Sequence, residues 1–446
     1  MRKRTVLFIA LMLLSMMMLA ACSSQDSQDN AEPNNTGTQQ EEQTETPAPA
    51  EEENLDPVVL KLYPGQWIID EDLELLINEP LQRKYPHISV ERIERSENPL
   101  EEYIMSNGQL DLITTWNGSM ANWQELNLFE DLIPLIDKYD IDLNRFDQGA
   151  IDTILAIPGN GELFGLPYNR QYNVLYYNKE IFDRFGVSYP KDGMTWDETI
   201  ELATRLTREE DGISYRGLDP ENVTRVMFQL GLNVVDAETE RANVNSEPYR
   251  KLFETVYKIY AIPGNKPPQW GYSAYDAFVK DRNVAMSAMV NLTNTIVEHG
   301  EGLDWDMAQY PSFEDNPNVY GMYDMHMISV TKNSQYKDEA MKVLEVLFSD
   351  EVQMDAVTKT GRISLLNDPK FQEAYGSENP VLKDKHLEAI FMSTPAHAPR
   401  FSKHYSKASG ILREHFYQYA DGEKDINEAL RDAEEEINQY IEANTD

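Results

Sequence analysis

Residues 161–187 read GELFGLPYNRQYNVLYYNKEIFDRFGV, and the fold turns on how this stretch divides. Gly161 and Gly165 bracket a short apolar run, and Pro167 forces Leu166 into an extended conformation. Tyr168-Asn169-Arg170 then sets three side chains rich in donors and flat surfaces next to one another. Asn173 to Tyr177 is a β-rich run. Asn178 stands where an N-cap belongs, ahead of a helix that carries Ile181, Phe182 and Phe185 at helical spacing. The order strand, polar crossing, strand, helix marks the place where one lobe hands the chain to another. A cleft between lobes is the usual seat of a small ligand.

Upstream, Val58 to Tyr63 alternates as VVLKLY, a strand, and runs into a loop with Pro64, Gly65, Gln66 and Trp67. From Asp70 onward Leu73, Leu76, Ile77 and Leu81 share one helical face, with Pro80 predicting a kink or break. Ile88, Val90 and Ile93 make a second strand and a helix covers 99–106. Asp111-Leu112-Ile113-Thr114 is a third strand that ends in the loop Thr115-Trp116-Asn117-Gly118. Strands alternating with helices imply crossover connections and a doubly wound α/β lobe. Residues 129–157 are helical in pattern.

Downstream, Thr195-Trp196-Asp197-Glu198 is a capping box that opens a helix with Ile200, Ala203 and Leu206. Pro263, Gly264, Pro267, Pro268 and Trp270 form a long turn. Val284 to Val290 is a buried strand followed by Asn291, Thr293 and Asn294. Trp305 to Tyr310 is another strand, and Met322 to Val330 a third, with His326 at its middle. These strands are predicted to complete the first lobe's sheet. From Asp338 the sequence is mostly helix, over 338–348, 350–359, 381–392, 405–420 and 424–443.

The amino terminus carries a processing signal. Arg2, Lys3 and Arg4 precede an apolar run from Val6 to Leu19, too short to span a membrane. Leu19-Ala20-Ala21-Cys22 closes it in a pattern that resembles a bacterial lipobox. The resemblance implies a signal peptide over 1–21, lipidation of Cys22, and anchorage on the extracellular face of the cytoplasmic membrane. Cys22 is the single cysteine, which excludes intramolecular disulfides and thiolate clusters. Residues 22–55 read as an acidic, disordered tether poor in apolar residues. The remaining chain of roughly 390 residues is long enough for two lobes. A net charge of −38 argues against nucleic acid and against a membrane surface beyond the lipid, since no basic stripe is present to neutralise phosphates.

LPYNRQYNVLYYNKEIFDRFGV at 166–187, MTWDE at 194–198, RNVAMSAM at 282–289, DEAMKVLEVLFSDEVQ at 338–353 and GRISLL at 361–366 stand in an order that, with the lipobox, carries a family resemblance. The chain resembles the extracellular solute-binding lipoproteins of bacterial ABC importers, the family 1 group that includes maltose-binding-type sugar receptors. The resemblance spans nearly all of 56–446. It implies two doubly wound α/β lobes joined by crossing hinge strands, of the periplasmic-binding-protein type II plan, closing on a solute. On that plan 56–168 and 285–327 form the N-terminal lobe and 169–284 and 328–446 the C-terminal lobe. Crossings then fall near 168–173 and 326–331, with a third crossing or a shifted boundary left open.

Sugar recognition pairs aromatic faces with the CH face of a pyranose, and planar polar side chains with neighbouring hydroxyls. Residues of that chemistry at strand edges and crossings are the candidates: Tyr63, Gln66 and Trp67; Trp116 and Asn117; Asn169, Arg170 and Tyr172; Trp270 and Tyr272; Asn291 and Asn294; His326; and Arg362. Each has a structural alternative, as loop anchor, hinge network, helix cap or hydrogen-bonded core residue. Neither a cofactor nor a metal is expected. The partners expected are a small-molecule solute, most simply a carbohydrate, and the transmembrane subunits of an ABC permease, with acidic patches meeting basic permease residues. The chain is expected to be a monomer.

No HExxH, GxSxG or GxxxxGK(S/T) occurs, and Gly159-Asn160-Gly161 lacks the strand and helix of a dinucleotide loop. A peptide or other solute receptor stays open, since stacking residues and an Arg also suit a peptide. A secreted glycoside hydrolase, which needs only two suitably spaced carboxylates, is the strongest enzymatic alternative.

Overall fold

The computed structural model describes residues 56–66, 68–94, 100–106, 108–139 and 141–444. The signal peptide, Cys22, the tether and Trp67 lie outside the described residues.

Two mixed five-stranded sheets organise the chain. The strands are β1 (Val58–Pro64), β2 (Ile88–Arg92), β3 (Leu112–Trp116), β4 (Leu166–Arg170), β5 (Asn173–Asn178), β6 (Arg208–Glu210), β7 (Ile213–Asp219), β8 (Val235–Asp236), β9 (Arg241–Ala242), β10 (Val284–Val290), β11 (Trp305–Ala308), β12 (Val319–Met322), β13 (Met325–Val330) and β14 (Thr394–Ala396). The first sheet has the order β2-β1-β3-β13-β4 and the second β11-β5-β10-β7-β6. In the first, β1 pairs in parallel with β2 and β3, so the carboxyl ends of β1 and β3 point the same way. β13 runs antiparallel to both β3 and β4. In the second, β10 is parallel to β7 and antiparallel to β5.

Each sheet has its own apolar core, covered by helices. One core joins Leu60, Leu62, Leu112 and Ile328 to Leu81, Met341, Leu344 and Val357. The other joins Val174, Tyr176, Met286 and Met307 to Phe253, Leu412, Phe416 and Ile437. The architecture is that of two doubly wound α/β lobes joined by crossing segments. The chain leaves the first sheet at Arg170 and enters the second at Asn173, inside the crossing read from the sequence.

The later crossings differ from the sequence reading. β10 and β11 belong to the second sheet, not the first. The chain returns only between Met322 and Met325, and the helices Lys337–Leu347 and Asp350–Lys359 pack in the first core rather than the second. A third crossing lies between Phe371 of the first core and Tyr375 of the second. The reason is physical. A strand such as VAMSAMV, apolar but for Ser287, is buried on both faces, and nothing in its pattern selects a neighbour. Residues 381–392, read as a helix, hold turns and a short 3-10 segment at Leu387–Ile390.

The helical run 70–84 does not break at Pro80. It widens into a π-turn over Glu74–Asn78 and resumes α-helical geometry at Glu79. The wider turn precedes the proline, which has no N–H to donate and whose ring would otherwise press on the preceding turn. The capping box forms as read: Glu198 N donates to Thr195 Oγ1 at 3.2 Å and Thr195 N to Glu198 Oε2 at 2.8 Å.

The helix Trp196–Leu206 lies directly on β7, and a Cβ at Gly217 would sit 2.1 Å from the Ala203 carbonyl oxygen. Neither backbone can give locally, because Gly217 N also donates to the buried Asn265 Oδ1 at 2.7 Å. Gly217→Ala is therefore expected to destabilise the protein by about 1–3 kcal/mol, measured as a lower denaturant midpoint with an unchanged slope. A midpoint equal to wild type would refute the close approach.

Candidate ligand-binding cleft

β13 brings three candidate residues into one row. Its register sets His326 opposite Trp116 of β3 on one side and opposite Asn169 of β4 on the other. Gln66 joins them from the end of β1, held there by Gln66 N donating to Thr114 O at 3.0 Å and by Thr114 Oγ1 donating to Gln66 O at 3.0 Å. These side chains floor a cavity of about 650 Å³ whose opposite wall comes from the second lobe. That wall is built by Thr224, Arg225 and Phe228 of the helix Val223–Gln229, and by Asn291, Asn294 and Glu298 at and beyond the end of β10. Tyr275 and one face of the helix Tyr405–Ala420, with Tyr405, Ser406, Ser409 and Arg413, complete it. Gln171 and Asp324, from two of the crossings, lie between the walls.

The cleft's charges are mostly answered within the protein. Arg225 Nε and Nη2 fork onto the two oxygens of Glu221 at 3.0 and 3.1 Å, and Nη1 reaches Asp324 Oδ2 at 3.3 Å. Burial pushes Asp324 above the usual carboxylate range against the opposing pull of Arg225. Arg362 pairs with Asp72 at 2.7 Å, both side chains nearly buried. Gln171 Nε2 lies 3.3 and 3.2 Å from the two ring nitrogens of His326. Burial first, and Arg362 second, push the pKa of His326 down to about 3. The ring is thus a neutral donor and acceptor at any ordinary pH.

Aromatic side chains supply the flat surfaces. Trp116 reaches from the first sheet to the second lobe, its ring edge-on to Phe401 at 5.5 Å and to Tyr405 at 6.1 Å. Phe228 lies 6.2 Å from Tyr405.

Of the candidates, Gln66, Trp116, Asn169, Asn291, Asn294, His326 and Arg362 line this cavity. The others do not. Tyr63 is in the first core, edge-on to Trp123. Asn117 is buried and pins the crossing, donating to Tyr323 O at 2.9 Å and accepting from Met325 N at 3.2 Å. Tyr172 sits one layer behind the wall and donates to Asn291 Oδ1 at 3.0 Å. Trp270 stacks on Tyr417 and donates to Asp421 at 2.7 Å. Tyr272 donates to Asp281. Arg170 faces the other side of its strand. Among the described residues no group of three or more His, Cys, Asp or Glu side chains is arranged to hold a metal ion.

Sequence reading missed Gln171, Arg225, Tyr275, Glu298, Asp324 and the Tyr405–Arg413 face. Tyr405, Ser409 and Arg413 recur at every fourth position, which places them on one helix stripe. Tyr405 and Ser409 are buried beside the apolar face of the helix, and the periodicity that located the helix said nothing of which neighbour they meet.

Two α/β lobes, three crossings and a polar, aromatic-walled cavity between them define a hinged binding protein. The chain belongs to the bacterial extracellular solute-binding protein family, whose model matches residues 69–354. It is 25% identical over 221 residues to a binding protein of Brucella abortus (strain 2308), covering 47% of this chain and 52% of that one. The matched stretch thus spans about half the length of that curated relative. An arabinooligosaccharide-binding protein of Halalkalibacterium halodurans is 26% identical over 168 residues, 35% of this chain and 36% of the relative. A solved ABC substrate-binding protein of Listeria monocytogenes, in complex with cycloalternan, superposes with a TM-score of 0.71 at 19% identity, covering 86% of this chain and 99% of that one.

His326 generates a pH prediction. Its pKa in the folded chain lies below the ordinary 6.5, so below pH 6.5 the unfolded chain takes up a proton that the folded chain refuses. Its contribution to stability is complete above that pH and is lost progressively as the pH falls toward 3. Between pH 7.5 and 5, wild type is expected to lose about 1–2 kcal/mol more than His326→Gln in urea unfolding. Parallel losses in the two proteins would show that the ring is protonated in the folded state.

Proposed function

We propose that this chain is the receptor of an ABC importer that captures a sugar or oligosaccharide by hinge closure and delivers it to a membrane permease. The observation that carries the reading is the composition of the cleft. The aromatic surfaces of Trp116, Phe228, Tyr275 and Tyr405 alternate with the planar amides of Gln66, Asn169, Gln171, Asn291 and Asn294. Stacking surfaces suit the CH faces of a sugar ring, and amides offer one donor and one acceptor to neighbouring hydroxyls. The cavity's size falls within the roughly 300–1,000 Å³ of small-molecule sites. The arabinooligosaccharide-binding relative and the cycloalternan-bound fold neighbour support a carbohydrate.

Closure follows from where the contacts lie. A ligand touching Trp116 and Asn169 on one lobe and Arg225 and Asn294 on the other gains its full contacts only when the lobes meet, so it shifts the population toward the closed form. The family is one of extracellular binding proteins rather than catalysts. Among the described residues no helix is long and apolar enough to cross a membrane. Lipidation at Cys22 would hold the receptor at the outer face of the cytoplasmic membrane. The acidic surface of both lobes would meet basic residues of the permease.

A thermal-shift screen over mono- and oligosaccharides, polyols and peptides is expected to show stabilisation by a saccharide. Calorimetry with that saccharide is then expected to show at least about a tenfold loss of affinity in Trp116→Ala, equivalent to about 1.4 kcal/mol. A screen in which only peptides stabilise the protein would reject the carbohydrate reading. Cys22→Ser is expected to move the protein from the membrane fraction to the medium, and unchanged fractionation would dispose of the lipid anchor.

A further inference from the structure

Arg170 was expected in the cleft and is not there. Adjacent residues of an extended strand point to opposite faces, and the strand pair at the hinge obeys this on both of its members. Asn169 and Arg362 face the cleft, while Arg170 and Ile363 face a second cavity of about 220 Å³ on the other side. The pair is joined by Arg170 N donating to Ile363 O at 3.0 Å and Ile363 N donating to Asn169 Oδ1 at 3.1 Å.

The guanidinium in this back cavity is unanswered. Among the described residues Arg170 makes no side-chain hydrogen bond or ion pair, and its Nε is buried without a partner. Four of the cavity's other polar side chains are committed. Asp147 Oδ1 accepts from Ala150 N and from the Tyr323 hydroxyl, both at 3.0 Å. Ser364 Oγ donates to Gln353 Oε1 at 2.6 Å, Asn367 Nδ2 donates to Phe146 O at 2.6 Å, and Asp368 pairs with Lys370 at 2.9 Å. Leaving one guanidinium nitrogen buried and unpaired is unfavourable unless a ligand completes it.

We propose that this hinge-back cavity is a second binding site, for a small monocarboxylate with a short apolar body. The Arg fork suits a carboxylate, which it can hold through two parallel hydrogen bonds. The walls that would meet the rest of the molecule are apolar: Ile363, Leu366, Phe371, Tyr375 and Phe391. Asp147 and Asp368 border the cavity and repel a second negative charge, which selects a monoanion over phosphate or a dicarboxylate. The cavity draws on both lobes and on the third crossing, with Phe371 in the first core and Tyr375 in the second.

Benzoate and butyrate are the probes, with benzamide and butyramide as uncharged controls of the same shape, titrated into the full chain at neutral pH by calorimetry and saturation-transfer NMR. Benzoate is expected to bind at least tenfold more tightly than benzamide, at least tenfold more tightly than to Arg170→Met, and several-fold more tightly than to Arg170→Lys. Arg170→Lys keeps the charge at the hinge and decides the matter if Arg170→Met does not fold. Absence of benzoate binding to wild type, or equal affinity in the Arg170 variants, would each overturn the site.

Discussion

Strand β13 holds the molecule's working parts together. It is inserted antiparallel between β3 and β4 after the chain has completed most of the second lobe. Two ladders of backbone hydrogen bonds therefore determine where His326 lies relative to Trp116 and Asn169. Because side-chain direction alternates along a strand, a register slip of one residue would turn His326 away from the cleft. Asn117 secures the same joint from below, bonding through both side-chain atoms to the backbone of Tyr323 and Met325. The hinge and the binding surface are thus made from the same hydrogen bonds.

Charge is distributed unevenly between the molecule's outside and its cleft. The chain carries a net charge of −38, yet the cleft's Arg225 and Arg362 are each matched to carboxylates, and His326 is kept neutral by burial. Ions paired at this depth contribute little net stability but are costly to leave half-paired. What they provide here is orientation. Arg225, clamped by Glu221 and Asp324, presents a fixed guanidinium edge, and a neutral imidazole can both donate and accept. Such a surface suits a ligand rich in hydrogen-bonding groups.

The two lobes already touch across the mouth of the cleft. Trp116 packs on Phe401 and Tyr405, and Lys403 pairs with Glu125 at 2.6 Å. The exposed ion pair is worth little, whereas the aromatic contact removes apolar area from water. The indole is therefore at once a wall of the site and a contact that favours the closed arrangement. On the opposite side of the hinge, Arg170 and Ile363 border a second cavity whose walls also come from both lobes.

The local chemistry of the chain was legible without coordinates. The capping box at Thr195, the cap at Asn178, the first crossing at 168–173 and four of the five helices read after Asp338 follow from rules that act over a few residues. So did the candidacy of Trp116, Asn169, His326 and Arg362, which rests on the chemistry of their side chains. Tertiary structure alone decided which sheet received β10 and β11, since a strand buried on both faces carries no mark of its neighbour. It alone separated Asn169 from Arg170, because the strand's rotation about its axis chooses which of two adjacent polar side chains meets the cleft. It also recruited Arg225 and the stripe of Tyr405, Ser409 and Arg413, residues distant in sequence that the folding of the second lobe sets in one wall facing the first.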